Sequence, residues 1–230
     1  MEISKTPTVF VVTADGSIRD ALGRLCRAAG WTVEAHESAE AFLSVFAPAC
    51  HGCLVVDAQL PGMSGFELQQ ELAARSILTP VIFLGDMNDV DSAVRAMRNH
   101  AFDYLIKPSD PQSVVDHIRL AIREDATLRE NDTQRTNAAA RIASLTSRER
   151  EILELIVAGA SNKRIAAQLR LSEKTVEFHR AKVKRKMGAE STAELVCMSV
   201  LVGAHTRSKI SRATPHQTTP ESSTAADTPS

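Results

Sequence analysis

Five short runs rich in β-branched and apolar residues punctuate the first half of the chain. Thr8–Val12, Cys53–Val56 and Pro80–Leu84 are almost continuously apolar, as expected of strands buried on both faces of a parallel sheet. Thr32–His36 and Phe102–Ile106 are shorter candidates. Between the runs, apolar residues recur at helical spacing. The sets are Ile18, Leu22 and Leu25; Ala41, Phe42, Val45 and Phe46; Phe66, Leu68 and Leu72; Val90, Ala93, Val94 and Met97; and Val114, Val115, Ile118 and Ile122. Five β-then-α units within residues 7–122 predict an α/β domain, doubly wound on a five-stranded parallel sheet.

The pattern then changes twice. Residues 123–141 are polar, charge-balanced and free of Gly and Pro, and predict a helical linker that continues the preceding helix. Residues 142–207 show helical spacing with no strand pattern, which predicts a small all-α domain. Residues 208–230 are dominated by Ser, Thr, Pro and Ala and predict a disordered tail.

Composition narrows the class. At 43% hydrophobic and 24% charged, the 230 residues can bury a real core. The longest apolar run, within Leu195–Ala204, is too short for a membrane span, which needs ~20 residues. Residues 1–8 lack the basic-then-apolar pattern of a secretory signal. Cys26, Cys50, Cys53 and Cys197 fit no dense disulfide scaffold. The expectation is a soluble cytoplasmic protein without a membrane partner. The net charge of −1 hides an asymmetry, with residues 1–122 at −6 and residues 142–210 at +6. Only the back half is expected to meet a polyanion.

In a doubly wound sheet, ligands bind beyond the carboxyl ends of the strands. Asp57 follows the third strand and Lys107-Pro108 the fifth. Thr13-Ala14-Asp15 follows the first strand and Gly85-Asp86 the fourth. A carboxylate and an ammonium thus converge on one edge, either as a structural ion pair or as a reactive site. Cys50-His51-Gly52-Cys53 has CxxC spacing. It precedes a strand rather than opening a helix, and no second pair completes a zinc site, so these read as thiols without a role.

In the back half, Thr146 and Glu149 have capping-box spacing ahead of Ile152, Leu153, Leu155 and Ile156. Gly159 suits a left-handed helix stop, and Ser161-Asn162 offers the next cap. Ile165, Ala166 and Leu169 mark a short second helix. Ser172 caps a third helix from Glu173 to about Met187, rich in cations, with Val176 and Val183 facing the core. Two short helices joined by a tight turn, the second basic, match a helix-turn-helix.

The front half resembles the receiver domain of two-component response regulators. The matching residues are Asp57 with Leu60-Pro61-Gly62-Met63-Ser64-Gly65, and Lys107-Pro108 after a Tyr-containing strand. The resemblance implies that Asp57 is the phosphoacceptor, attacking a phosphohistidine on a sensor histidine kinase. It further implies that Lys107 pairs with the phosphoryl oxygens, that Tyr104 is the switch aromatic, and that Mg2+ neutralises developing charge. The sequence departs from that pattern at two places. The acidic pair that holds the metal is replaced by Thr13 and Ala14, which leaves Asp57 and the displaced Asp15 as candidate ligands. The Ser or Thr after the fourth strand, whose hydroxyl reports phosphorylation, is Gly85, followed by Asp86. Two readings stay open. Asp57 is phosphorylated slowly, with Asp15 or Asp86 helping to hold the metal, or the receiver is degenerate and serves dimerisation or docking.

The back half resembles the LuxR-type DNA-binding domain through Leu145-Thr146, Arg148-Glu149, Gly159, Asn162-Lys163, Ile165-Ala166, Leu169, Ser172, Thr175-Val176, His179-Arg180, Lys182-Val183, Lys186-Met187 and Leu195-Val196. It implies four helices, with the third in the major groove and the fourth, near Thr192–Val202, pairing two copies on DNA. Lys163, Lys174, His179, Arg180 and Lys182 are candidate phosphate contacts. Glu177, Phe178 and Ala181, beside Thr175, lie on the face presented to base edges. The Lys184–Lys186 cluster adds field only.

The combined order resembles the NarL/FixJ family of response regulators. It implies a non-enzymatic transcription regulator with double-stranded DNA, a sensor kinase and RNA polymerase as partners and a homodimer on DNA. The alternative is an interaction protein whose degenerate receiver sequesters a kinase or another regulator; a gel shift with genomic fragments separates the two.

Overall fold

The computed structural model describes residues 6–47, 50–87, 89–107 and 110–212. Five strands, β1 (Thr8–Val12), β2 (Thr32–His36), β3 (Gly52–Asp57), β4 (Val81–Asp86) and β5 (Asp103–Lys107), form one parallel sheet in the order β2-β1-β3-β4-β5. Five helices follow the strands: α1 (Gly16–Ala28), α2 (Ala39–Val45), α3 (Gly65–Ala74), α4 (Val90–Arg98) and α5 (Pro111–Ala143).

The central strands read as apolar runs because both their faces are covered. Phe10, Val12, Leu54, Val56, Val81 and Phe83 pack with Phe42, Phe66, Leu68, Leu72 and Ala96 in one core layer. Their sequence neighbours Val9, Val11, Cys53, Val55, Ile82 and Leu84 point the other way, onto Leu22, Cys26, Val114, Ile118 and Ala121. The period of two along a strand assigns alternate residues to the two layers. Register is uniform, with Val12 beside Val56 and Asp57 beside Leu84. The ends of β1 and β3 therefore lie side by side where the strand order reverses.

One expected core stripe faces water instead. On α4 only Ala96 is buried, whereas Val90 is 69% exposed and Val94 and Met97 are also exposed. A shared helical face is real here, but its apolar side is the solvent side.

The chain divides into two units, residues 1–132 and 133–230, and the division falls within α5. In the first unit, Asp125 on α5 is 2% exposed. Its Oδ2 accepts from Gly52 N at 2.9 Å. Arg129 Nε donates to both its oxygens at 2.9 Å, and Arg129 also donates to the Cys50 carbonyl. The polar segment expected to project outward is thus tied to the start of β3. A buried carboxylate stripped of such partners is costly, and equally so a donor left without its acceptor. Asp125→Ala is expected to destabilise the first unit by about 2–4 kcal/mol. Urea unfolding followed by fluorescence of Trp31, the single tryptophan, reads that unit.

The second unit holds the end of α5, then α6 (Ser147–Val157), α7 (Asn162–Leu169), α8 (Glu173–Met187) and α9 (Thr192–Arg212). Its core includes Ile152, Leu153, Ile156, Ile165, Val176, Val183, Met187 and Leu195. The capping box of Thr146 and Glu149 opens α6, Ser161 caps α7 and Ser172 caps α8. Arg141 Nη1 donates to the Met187 carbonyl at 2.6 Å, at the C-terminal end of α8, where a cation suits the helix dipole. Helix α9 continues to Arg212, past the expected onset of a tail at Ser208. The rest of that tail lies outside the described residues.

Candidate phosphoacceptor site and nucleic-acid interface

Asp57 ends β3 and is 6% exposed. Lys107, the last residue of β5, reaches across β4 and donates to both Asp57 oxygens, at 3.1 Å to Oδ1 and 2.9 Å to Oδ2. Gln59 N donates to Oδ1 at 3.2 Å. Thr13 Oγ1 donates to Oδ2 at 3.2 Å. Each carboxylate oxygen therefore already accepts two donors. Thr13 is fully buried, and Arg19 Nη1 donates to its carbonyl at 2.6 Å. Sequence reasoning treated Thr13 only as a lost carboxylate and missed it as a partner of Asp57.

Asp15 is committed elsewhere. It caps α1, its Oδ1 accepting from Ser17 N at 2.8 Å and Ile18 N at 3.2 Å. Ala14 offers no side-chain donor atom to a cation. Asp86 is exposed at the end of β4. Among the described residues no group of three or more His, Cys, Asp or Glu is placed to hold a metal ion. A hard divalent cation wants several oxygen ligands in near-octahedral array. One carboxylate saturated by a lysine, a hydroxyl and a backbone N–H does not supply them, so these residues do not fit Mg2+. Asp15, one step along the turn, is placed as the cap of α1.

The loop after β3 is itself pinned. Glu40 Oε1 on α2 accepts from Met63 N at 2.9 Å, and Ser64 with Glu67 forms a capping box at the start of α3. Backbone N–H donors hold the Glu40 carboxyl below the usual range, foremost its own and that of Met63. On β5, Tyr104 packs its ring against the core layer that contains Phe83. Burial, with Asp89, Asp86 and Asp57 nearby, raises its phenol above the ordinary value.

In the second unit, α8 divides its side chains sharply. Val176, Val183 and Met187 are buried. Lys163, Lys174, Glu177, Phe178 and Ala181 are exposed, while Thr175, His179, Arg180 and Lys182 are half-buried. Phe178 is 62% exposed, and Lys182 Nζ lies 5.5 Å from its ring centroid. Phe178 is thus an exposed aromatic on a basic helix with a cation beside its ring. The Thr175 hydroxyl is within 2.7 Å of Ser172 Oγ, so it shares the helix cap. The basic cluster at the end of α8 splits by role. Lys184 Nζ donates to the Glu190 carbonyl at 2.6 Å. Lys186 Nζ donates to Glu149 Oε2 at 2.6 Å, and only Arg185 of the three is exposed.

A family model described as response regulator receiver domain matches residues 9–119. A second, described as bacterial regulatory proteins, luxR family, matches residues 143–199. The chain is 40% identical over 195 residues to the transcriptional regulatory protein FixJ of Azorhizobium caulinodans, covering 85% of this chain and 92% of that protein. It is 39% identical to nodulation protein W of Bradyrhizobium diazoefficiens, covering 88% of this chain and 89% of that one. Among solved structures, response regulator StyR aligns with a TM-score of 0.72 at 39% identity, covering 84% of this chain and 98% of that chain.

Proposed function

The chain belongs to the NarL/FixJ type of response regulators, DNA-binding transcriptional regulators of two-component systems, and we propose that its receiver departs from the type in being only weakly governed by phosphorylation. The observation that carries this reading is the state of Asp57. Its two oxygens are occupied by Lys107, Thr13 and Gln59 N, and among the described residues no second carboxylate joins it to hold a divalent ion. Receiver domains take up phosphate with Mg2+ in place. Here the charge on a phosphoryl group would be met by Lys107, with the Thr13 hydroxyl as a neutral donor. Asp57 is the phosphoacceptor and Lys107 its cationic partner, working slowly and without a metal cage. Tyr104 keeps the place of the switch aromatic but has no hydroxyl-bearing neighbour at Gly85 to follow.

On the DNA side, α8 enters the major groove as recognition helix. Lys163, Lys174, His179, Arg180 and Lys182 contact phosphates; Glu177, Phe178 and Ala181 face base edges, and Thr175 holds the helix start. The split of exposed cations from buried apolar residues supports this assignment. The chain is not an enzyme, acts in the cytoplasm, pairs through α9 on DNA, and works on RNA polymerase. Its domains are the receiver at 7–122, the linker at 123–141 and the DNA-binding domain at 142–207.

A ligand or modification moves an equilibrium only through its differential interaction with the two states. With metal and hydroxyl contacts removed, little difference remains. Asp57→Ala is expected to change affinity for a footprinted operator less than threefold, below about 0.7 kcal/mol. A small phosphodonor with Mg2+ should do no more to the wild type. A tenfold rise in DNA affinity on phosphodonor treatment, abolished by Asp57→Ala, overturns the reading in favour of an ordinary phosphorelay.

A further inference from the structure

Tyr104 pairs with Phe83 across β4 and β5, and its side chain lies on the same sheet face as Phe83 and Gly85. The ring stacks on Phe83, with centroids 6.4 Å apart and planes 25° apart. Its far end fills the space above Gly85. A Cβ built on Gly85 would stand 1.7 Å from Tyr104 Oη and 2.2 Å from Cζ. Any side chain at position 85 and the tyrosine in this orientation are therefore mutually exclusive. The hydroxyl is buried and accepts or donates no hydrogen bond among the described residues. Apolar packing and the vacant Cβ position hold the ring, and no bond runs from it to Asp57, Lys107 or Thr13.

We infer that Gly85 is a seat that holds Tyr104 permanently inward, so that the ring's position is set by packing and not by the chemical state of Asp57. The functional consequence rests on the weak-dependence reading above; the conformational statement does not. With a side chain at position 85, that side chain and the ring would compete for one volume. Here the competitor is absent. Asp57 makes no hydrogen bond to the Tyr104 hydroxyl among the described residues and reaches it only through charge, so a change at Asp57 breaks no contact that holds the ring. The face of β5 beside Tyr104 thus presents one surface whatever happens at Asp57.

Tyr104 is the only tyrosine in the chain, so incorporation of 3-fluorotyrosine into the full-length protein places a fluorine label at this one residue. The wild type should give a single fluorine resonance protected from a soluble paramagnetic agent. That resonance should keep its position and protection on treatment with phosphodonor and Mg2+, and in Asp57→Asn. Gly85→Ser should drive the ring out and raise its paramagnetic relaxation at least tenfold. If Gly85→Ser is too unstable to observe, a double-mutant cycle replaces it. Tyr104→Ala should then restore the fold of Gly85→Ser, and additive losses count against the inference. A wild-type resonance that moves to an exposed environment on phosphodonor treatment overturns it, as does a Gly85→Ser protein whose ring stays protected. If phosphodonor raises DNA affinity tenfold while the resonance stays fixed, the weak-dependence reading fails and the seat stands.

Discussion

Raising the salt concentration from 50 to 200 mM is expected to weaken operator binding by roughly a hundredfold for each DNA-binding domain engaged. Each phosphate neutralised by a cation releases counterions, giving a slope of about −0.9 per contact in log affinity against log salt. About four such contacts per domain across a fourfold change in salt give that factor. The structure narrows the cations available. Lys184 and Lys186 are engaged with the Glu190 carbonyl and the Glu149 carboxylate, leaving Lys163, Lys174, Arg180 and Lys182 on or beside the exposed face. Lys182→Ala should weaken all sequences alike and reduce the slope by about one per domain. Lys186→Ala should leave the slope unchanged. Glu177→Ala should instead relax preference at one base position, by about 1–3 kcal/mol. Anisotropy titrations at several salt concentrations, with sequence selection, separate these effects. An unchanged slope in Lys182→Ala removes that residue from the phosphate set, and an unchanged selection in Glu177→Ala removes Glu177 as a reader.

The parallel sheet was legible because its central strands are covered on both sides. Val9 to Val12, Cys53 to Val56 and Val81 to Leu84 each supply residues to two core layers, and burial on both faces leaves no polar alternation to interrupt the run. Helix existence was legible for a similar reason, but helix orientation was not. Periodicity shows that Val90, Val94 and Met97 share a face of α4; it does not say whether protein or water lies against it. The three basic residues Lys184, Arg185 and Lys186 look equivalent along the chain. Successive positions on a helix are turned by about 100°, so two of them meet structural acceptors and one meets solvent. Asp125 left no trace, because its partner Gly52 N is 73 residues away and a lone carboxylate in a polar stretch reads as solvated. At the candidate phosphoacceptor site, Asp57 and Lys107 were visible from the strand ends. What fills the gap was not: the chain shows that Gly85 lacks a hydroxyl, but only the packing shows the Tyr104 ring in its place.

Glu149→Ala is expected to cost the DNA-binding unit about 3 kcal/mol, the sum of a lost helix cap and a lost buried ion-pair partner. Glu149 is 3% exposed. Its Oε2 accepts from Lys186 Nζ at 2.6 Å and from Thr146 N at 2.9 Å, while its own N–H is met by Thr146 Oγ1. One side chain thereby joins the start of α6 to the end of α8. The hydrogen bond from Lys186, then that from the Thr146 backbone, pulls its carboxyl down from 4.5 to about 2 against the opposing effect of burial. The sign follows from that depression. The folded state holds its proton less tightly than the unfolded chain, so this contribution is complete above pH ~4.5 and is lost as pH falls toward ~2. Glu149→Gln keeps the shape and an acceptor, so it should cost less than Glu149→Ala at neutral pH, yet flatten the acid dependence in that window. Because the chain has two units, a single melting curve mixes them. Amide hydrogen exchange at Ile152 and Val183 reads this unit alone. Equal acid sensitivity in wild type and Glu149→Gln, or a neutral-pH cost of Glu149→Ala below about 1 kcal/mol, would show that α8 is anchored by its apolar contacts without this carboxylate.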